Sequence, residues 1–232
     1  PISFLSFLKI GRNDKVLDLG CSYGRMYEAL SEYSDHISGV DPDPYAVEKA
    51  GTNAYADVRV GTAEKTGFDQ EHFDVVFCWA VYDVVDQEKG FRELNRILKN
   101  GGRFLVTGKN NNYLPDDEFA YKAEKNAFLK DFPNHFTDLK TLIPNLSAFG
   151  FALDKLILFP RRGDFGLLKY FEADPASEKF IGYEYMILGH KVSEPVQFSA
   201  KIDSSFSLTS GVIAKGKGFK TPSELFKAVG ID

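Results

Sequence analysis

The stretch Val16-Leu17-Asp18-Leu19-Gly20-Cys21-Ser22-Tyr23-Gly24-Arg25 decides the fold class of this chain. An apolar strand that contains one acid runs into a turn of small residues, and a helix is predicted after it at about 23–32. This order places the backbone of the turn at the carboxyl edge of a sheet, where it can approach a ligand closely. Glycine spacing alone also fits a tight turn that binds nothing.

Apolar runs of strand length alternate with helical periods through most of the chain, which is typical of βαβ units and a parallel α/β sheet. Strands are predicted at residues 15–19, 36–40, 58–60, 73–77, 103–107, 151–159 and 183–191. Helices are predicted at 44–50, 87–98 and 116–130, from an N-cap at Thr137 to Gly150, and after the capping box at 221–224. Residues 1–8 are expected to form a short amphipathic helix against the sheet.

Composition restricts the class of protein. The 232 residues carry a formal net charge of −5, and no basic face stands out, which disfavours a nucleic-acid partner. Only two cysteines occur, Cys21 and Cys78, so a disulfide framework is not expected and a cytoplasmic location is predicted. No apolar run reaches the roughly 20 residues of a membrane span. No set of metal ligands is predicted.

Two acids end neighbouring predicted strands. Asp18 would be costly to bury without hydrogen-bond donors or a cation. Asp41 lies 21 positions after Gly20, where nucleotide-binding βαβ units place an acid that accepts hydrogen bonds from ribose hydroxyls. The alternative is an Asp-Pro turn that only caps the next helix, a role that Asp43 also fits. Together the two elements favour a ligand of the adenosine type.

At this point the chain resembles the class I S-adenosylmethionine-dependent methyltransferases, specifically their small-molecule group. The first motif is similar to residues 18–24, the second to Gly39-Val40-Asp41 and the third to Gly61-Thr62-Ala63-Glu64. Residues 73–76 and 91–102 are similar to the remaining two. The resemblance implies a doubly wound, mostly parallel seven-stranded sheet with an antiparallel last strand, and S-adenosylmethionine as cofactor.

The resemblance also implies residue roles. The expected cofactor-binding set is Asp18, Gly20, Cys21, Ser22, Gly24, Arg25, Asp41, Pro42, Thr62, Ala63, Cys78 and Trp79. Two positions depart from the family pattern. Ser22 replaces a glycine, which is tolerable if this residue avoids positive φ. Thr62 replaces an acid that usually accepts the adenine amino proton, a role left to its hydroxyl or to Glu64.

The acceptor side is less defined, because an activated sulfonium donor needs mostly proximity and orientation from the protein. Asp83 and His135 are candidate bases, although each also fits a structural role. A lid insertion is predicted at 109–136, within a methyltransferase domain at 1–192, and residues 193–232 are expected to pack on it as an extension. Candidate acceptor-binding residues are Tyr82, Lys109, Tyr113, Arg161 and Arg162.

The leading hypothesis is methylation of oxygen or nitrogen on a small molecule, such as a sugar, a nucleotide-sugar or another polar metabolite. A protein or RNA methyltransferase and a catalytically silent binding domain are the alternatives. A dehydrogenase is disfavoured because Ser22 and Arg25 break the Gly-x-Gly-x-x-Gly pattern. DNA adenine methylation is disfavoured because residues 78–82, Cys-Trp-Ala-Val-Tyr, lack the base-binding element that such enzymes carry there.

Overall fold

The computed structural model describes residues 1–132, 134–177 and 179–205. Its strands are β1 (Lys15–Leu19), β2 (His36–Asp41), β3 (Asp57–Val60), β4 (Phe73–Cys78), β5 (Leu98–Asn110), β6 (His135–Thr137), β7 (Phe151–Phe159), β8 (Phe171–Glu172), β9 (Glu184–Lys191) and β10 (Asp203–Ser205). Its α-helices are α1 (Tyr27–Ser31), α2 (Pro44–Ala50), α3 (Gln87–Ile97), α4 (Glu118–Leu129) and α5 (Leu139–Leu142). Short 3-10 helices span Ile2–Leu8, Ile143–Phe149 and Pro175–Ser177.

One sheet contains all the strands, in the order β3-β2-β1-β4-β5-β9-β7-β8. The first five are mutually parallel, while β9 runs antiparallel to both β5 and β7. The short β6 pairs in parallel with the end of β5, and β10 pairs with β6. The seven predicted strands and the antiparallel last strand are therefore confirmed, and β6, β8 and β10 are additions that the sequence pattern did not reveal.

The insertion of β9 between β5 and β7 sets the register at the carboxyl edge of the sheet. Glu184, the first residue of β9, lies opposite Lys109 of β5 on one side and Phe159 of β7 on the other. Because side chains of directly paired residues lie on the same face of a sheet, these three residues form a row at the edge where β4 and β5 also end.

Two apolar cores cover the two faces of the sheet. On one face, α3, α5 and the 3-10 helix Ile143–Phe149 pack against alternate residues of the central strands, including Leu17, Val76 and Phe104. On the other face, the 3-10 helix Ile2–Leu8 buries Phe4, Leu5 and Leu8 together with α1. The expected N-terminal amphipathic helix is confirmed in place, in the tighter 3-10 form.

Several boundaries differ from the predicted ones. The helix after β1 begins at Tyr27, because residues 22–26 form turns instead of continuing from Tyr23. The predicted helix from Thr137 to Gly150 is wrong at its start: Thr137 ends β6, and Asp138 caps α5 by accepting the amide N–H of Lys140. The predicted lid at 109–136 is shortened at both ends, since β5 extends to Asn110 and β6 begins at His135.

The expected extension at 193–232 is described only as far as Ser205. Within that part, the amide N–H of Val196 donates to Ala148, Phe198 packs on Phe149, and β10 joins β6. The terminal helix predicted after the capping box at 221–224 lies outside the described residues. Among the described helices, none combines the length and the apolar character that crossing a membrane would need.

Candidate active site

The turn after β1 has the left-handed backbone that its small residues suggest. Gly20 and Gly24 have φ values of 79° and 77°, and Ser22 lies between them at φ 48°. The condition under which a serine is easily tolerated here, a backbone without positive φ, is therefore not met. A side chain in this conformation costs roughly 1–2 kcal/mol, so the local backbone is held by its surroundings. The loop after β4 also closes on this turn: a Cβ on Gly20 would lie 2.3 Å from Cγ2 of Val81.

The acid at the end of β2 holds the strained turn. The amide N–H of Ser22 donates to Oδ2 of Asp41 at 2.9 Å, and the amide N–H of Asp43 donates to Oδ1 at 3.0 Å. Asp43 itself caps α2 by accepting the amide N–H of Tyr45. Asp43 therefore caps α2, whereas Asp41 remains available to a ligand because it is only half-buried.

Asp18 is the buried acid of the pair, with 2% of its surface exposed. Tyr55 donates its hydroxyl to Oδ2 at 2.8 Å. Burial raises the pKa of Asp18 to about 7, with a further rise from the nearby Asp41, while the Tyr55 hydrogen bond and Arg25 oppose the shift. A cation bound at this position would restore the charged form of the carboxylate.

The other expected cofactor residues fall into two groups. Arg25, Pro42 and Thr62 are exposed at the same edge, and Thr62 exchanges backbone hydrogen bonds with Lys65. Cys21, Ala63 and Cys78 are buried among core side chains. Glu64, the alternative adenine contact, instead accepts the amide N–H of Asp86 at 2.9 Å.

A small pocket opens over the carboxyl ends of β4 and β5, lined in part by the loop that follows β4. Its cavity volume is about 60 Å³. The structure brings three predicted residues together here: Trp79, Asp83 and Lys109. The remaining lining residues are Ala80, Thr107, Gly108, Phe159, Phe165, Glu184 and Tyr185.

A buried ionic cluster joins this pocket to α4. Lys109 Nζ lies 3.0 Å from Asp83 Oδ2 and 3.0 Å from Glu124 Oε1, and the Glu124 side chain is fully buried. Tyr183 also donates its hydroxyl to Glu124. Asp83 Oδ1 is buried and, among the described residues, receives no hydrogen bond. One carboxylate oxygen at the pocket is therefore left without a donor.

Four of the predicted acceptor-side residues do not line the pocket. Tyr82 is fully buried, with its ring against Phe91, so it belongs to the core. Tyr113 stacks on Phe136. The guanidinium groups of Arg161 and Arg162 already bind Asp116 and the Tyr183 hydroxyl, which leaves neither without a protein partner.

His135, a candidate base, also lies away from the pocket. Its ring nitrogen Nδ1 is 3.6 Å from Asp203 Oδ2. Its backbone has a positioning role, because the amide N–H of His135 donates to the carbonyl of Asp83 at 2.8 Å. Of the two predicted bases, the structure places only Asp83 at the pocket.

Sequence reasoning missed Glu184, which is half-buried in the pocket wall. Burial raises its pKa, and the nearby Asp83 and Asp117 raise it further, while Arg162 and Lys109 lower it. The only sequence signal was an acid at the start of an apolar strand. Phe165 was missed as well, because it lies in the irregular segment between β7 and β8.

With this geometry in view, comparison with known proteins assigns the domain. Residues 17–106 match the family model of the methyltransferase domain. Over these residues the chain is similar to methyltransferase domains. The crystal structure of YcgJ from Bacillus subtilis superposes on it with a TM-score of 0.61, at 19% identity, over 83% of this chain and 98% of that chain. A Thermotoga maritima structure described as a SAM-dependent methyltransferase, possibly a histamine N-methyltransferase, gives a TM-score of 0.60 at 24% identity, over 82% and 87% of the two chains.

Two curated relatives place the methyltransferase domain in a broad group. The uncharacterized methyltransferase YcgJ of Bacillus subtilis (strain 168) is 34% identical over 133 residues, which cover 54% of this chain and 48% of YcgJ. In this match the chain spans about half the length of its relative. A ubiquinone/menaquinone biosynthesis C-methyltransferase of Geotalea daltonii is 25% identical over 175 residues, covering 68% of this chain and 69% of the relative. Among the similar structures, the Thermotoga maritima protein is described as SAM-dependent, and a geranyl diphosphate C-methyltransferase of Streptomyces coelicolor contains S-adenosyl-L-homocysteine.

Proposed function

We propose that this chain transfers a methyl group from S-adenosylmethionine to a nitrogen or oxygen atom of a small polar molecule. The observation that carries the proposal is the position of the pocket. The loop after β4 lines the pocket through Trp79, Ala80 and Asp83 and packs against Gly20 through Val81, and the pocket wall combines Asp83, Lys109 and Glu184 with aromatic side chains. Polar groups that converge in a small, largely aromatic cavity are typical of a small-molecule site.

The residues at the edge of β1 and β2 fit the donor. Asp41 can accept hydrogen bonds from a ribose, because each of its oxygens is bonded to one amide and keeps a second lone pair. Asp18 is a buried carboxylate that a ligand ammonium group would complement. The bound sulfonium would supply an activated methyl group, to which the acceptor forms a bond while the carbon–sulfur bond breaks.

The chain's own residues would orient the acceptor and manage its proton. Asp83 is fixed from two sides, by Lys109 at its side chain and by the His135 amide at its carbonyl. Glu184 lies across the strand pair from Lys109 and has the raised pKa expected of a proton acceptor. The similar proteins include a quinone C-methyltransferase and a possible histamine N-methyltransferase, which differ in the atom that is methylated. The choice of a nitrogen or oxygen acceptor for this chain therefore rests on the polar wall of the pocket.

A labelled-methyl screen tests the proposal. The protein is incubated with methyl-labelled S-adenosylmethionine and panels of small amines, hydroxylated metabolites and nucleotide-sugars, and transfer is counted. We expect labelled product with at least one small polar acceptor, and loss of transfer in Asp83→Asn. Absence of S-adenosylmethionine binding by calorimetry would refute the proposal and favour the silent binding domain.

A further inference from the structure

The wall of the pocket is aromatic on one side. Trp79 and Phe165 pack with ring centroids 4.4 Å apart, and Phe159 lies against Phe165 at 5.5 Å. Together with Tyr185 they line the cavity. Aromatic faces carry partial negative charge and attract cations, more strongly when water is excluded.

On the opposite side of the pocket, carboxylates outnumber positively charged groups. The ammonium group of Lys109 contacts the carboxylates of Asp83 and Glu124 and also attracts Glu184. Arg162 attracts Glu184 more strongly than Lys109 does, and Asp117 repels it, so four carboxylates in this region share two cations. The region therefore carries a net negative charge when its acids are ionised.

Two of these acids have bonding capacity to spare. Within the described part of the chain, no hydrogen-bond donor reaches Oδ1 of Asp83, which is buried. An acceptor shielded from water in this way costs free energy until a donor arrives. The side chain of Glu184 is only partly buried, and no hydrogen bond contributes to its pKa shift. A ligand that brings both N–H donors and a positive charge satisfies both requirements at once.

We propose that the acceptor is an amine, which binds as an ammonium ion between the aromatic wall and the carboxylates of Asp83 and Glu184. This inference rests on the proposed function, because it names the acceptor class for the same pocket.

Glu184 also provides the proton step that an amine requires. An ammonium nitrogen has no lone pair, so it must lose one proton before it can accept a methyl group. In our proposal the ammonium gives that proton to the Glu184 carboxylate, which becomes a neutral carboxylic acid, and the nitrogen keeps the electron pair of the broken N–H bond. The raised pKa of Glu184 makes it a better proton acceptor than an exposed glutamate.

Titration calorimetry with three probes of one shape tests the inference: benzylamine, benzyl alcohol and benzoate. S-adenosylhomocysteine is present throughout, so the readout is binding and no turnover occurs. We expect benzylamine to bind at least tenfold more tightly than benzyl alcohol, and benzoate to bind most weakly. Glu184→Gln should remove most of the preference for the amine, whereas Glu172→Gln, on the exposed neighbouring strand β8, should leave it unchanged.

The pH dependence of the wild-type protein gives a second readout that needs no variant. As the pH is lowered, Glu184 gains a proton at a higher pH than an exposed glutamate does, because its pKa is raised, and it then loses its charge while benzylamine stays cationic. The charged groups that face it are Asp83, Lys109, Asp117 and Arg162. The affinity for benzylamine should therefore fall as the pH is lowered, and the affinity for benzyl alcohol should not.

Equal affinity for the amine and the alcohol, or a pH-independent preference, would overturn the inference while the proposed function stands. Failure of S-adenosylhomocysteine to bind would instead remove the proposed function as well. If Glu184→Gln does not fold, which thermal melting detects, the wild-type pH series decides alone.

Discussion

The amide N–H of Ser22 donates to Oδ2 of Asp41 at 2.9 Å, and this hydrogen bond ties the turn after β1 to the end of β2. The turn is thereby held in its left-handed conformation by the same acid that we expect to bind the ribose. Donor binding and local backbone strain thus depend on one carboxylate.

Replacing Ser22 by glycine should stabilise the protein. Ser22 has φ 48°, and glycine adopts this conformation without the steric cost of a Cβ atom, so we expect a gain of about 1 kcal/mol in the free energy of unfolding. Urea denaturation measures it. Ser31→Gly, at the end of the right-handed helix α1, serves as the control and should lose roughly 0.5–1 kcal/mol. A loss in both variants would contradict the strain argument.

Asp41→Asn should weaken S-adenosylmethionine binding by about 10- to 100-fold, because hydrogen bonds to a charged group contribute about 1.5–3 kcal/mol. Titration calorimetry gives the dissociation constant. Asp35→Asn is the matched control, since Asp35 immediately precedes the other end of the same strand and pairs with Arg12 at the surface. Similar affinities in the two variants would remove Asp41 from the donor site.

Lys109→Met should destabilise the fold strongly. It leaves Asp83 and Glu124 without their shared cation in a place where the Glu124 side chain is fully buried, and breaking such a buried pair costs about 3–5 kcal/mol. Lys122→Met removes an exposed pair with Glu118 and should change the stability by less than about 1 kcal/mol. Comparable losses in urea denaturation would show that the buried cluster is not structural.

Asp18 should give the protein a pH-dependent stability. Its pKa is about 7 in the folded protein, whereas that of an exposed aspartate is 3.8, so the folded state holds an extra proton between about pH 4 and pH 7. The contribution of Asp18 is therefore fully present below about pH 4 and is lost as the pH rises through 7. Subtracting the urea stability of Asp18→Asn from that of the wild type at each pH isolates this slope. Parallel curves would contradict it.

Much of the donor side could be predicted from sequence because its signals are local. The strand ending at Leu19, the turn and the acid at the end of β2 occur within about 25 consecutive residues, and each has a characteristic residue pattern. The conformation of Ser22 was not predictable in this way. It depends on the hydrogen bond to Asp41 and on packing against the turn, which no local preference encodes.

The acceptor side depends on pairings between distant segments. Glu184 reaches the pocket only because β9 inserts between β5 and β7, and an apolar strand with an initial acid does not reveal its neighbours. His135 was expected in a lid, yet His135, Phe136 and Thr137 extend as a strand beside β5. Tyr82 was expected at the pocket because it follows β4, but its ring turns into the core.

In the sheet β9 lies between β5 and β7, but it follows both of them in the chain, so it is synthesised after them. Strands β1 to β5, which carry the turn and both strand-end acids, are complete by Asn110, whereas the pocket needs residues as far along as Tyr185. During synthesis, the nucleotide-facing half of the sheet can assemble while the segment that completes the other half is still in the ribosome. Changes in that later segment can then alter which molecule is methylated without disturbing the part that folds first.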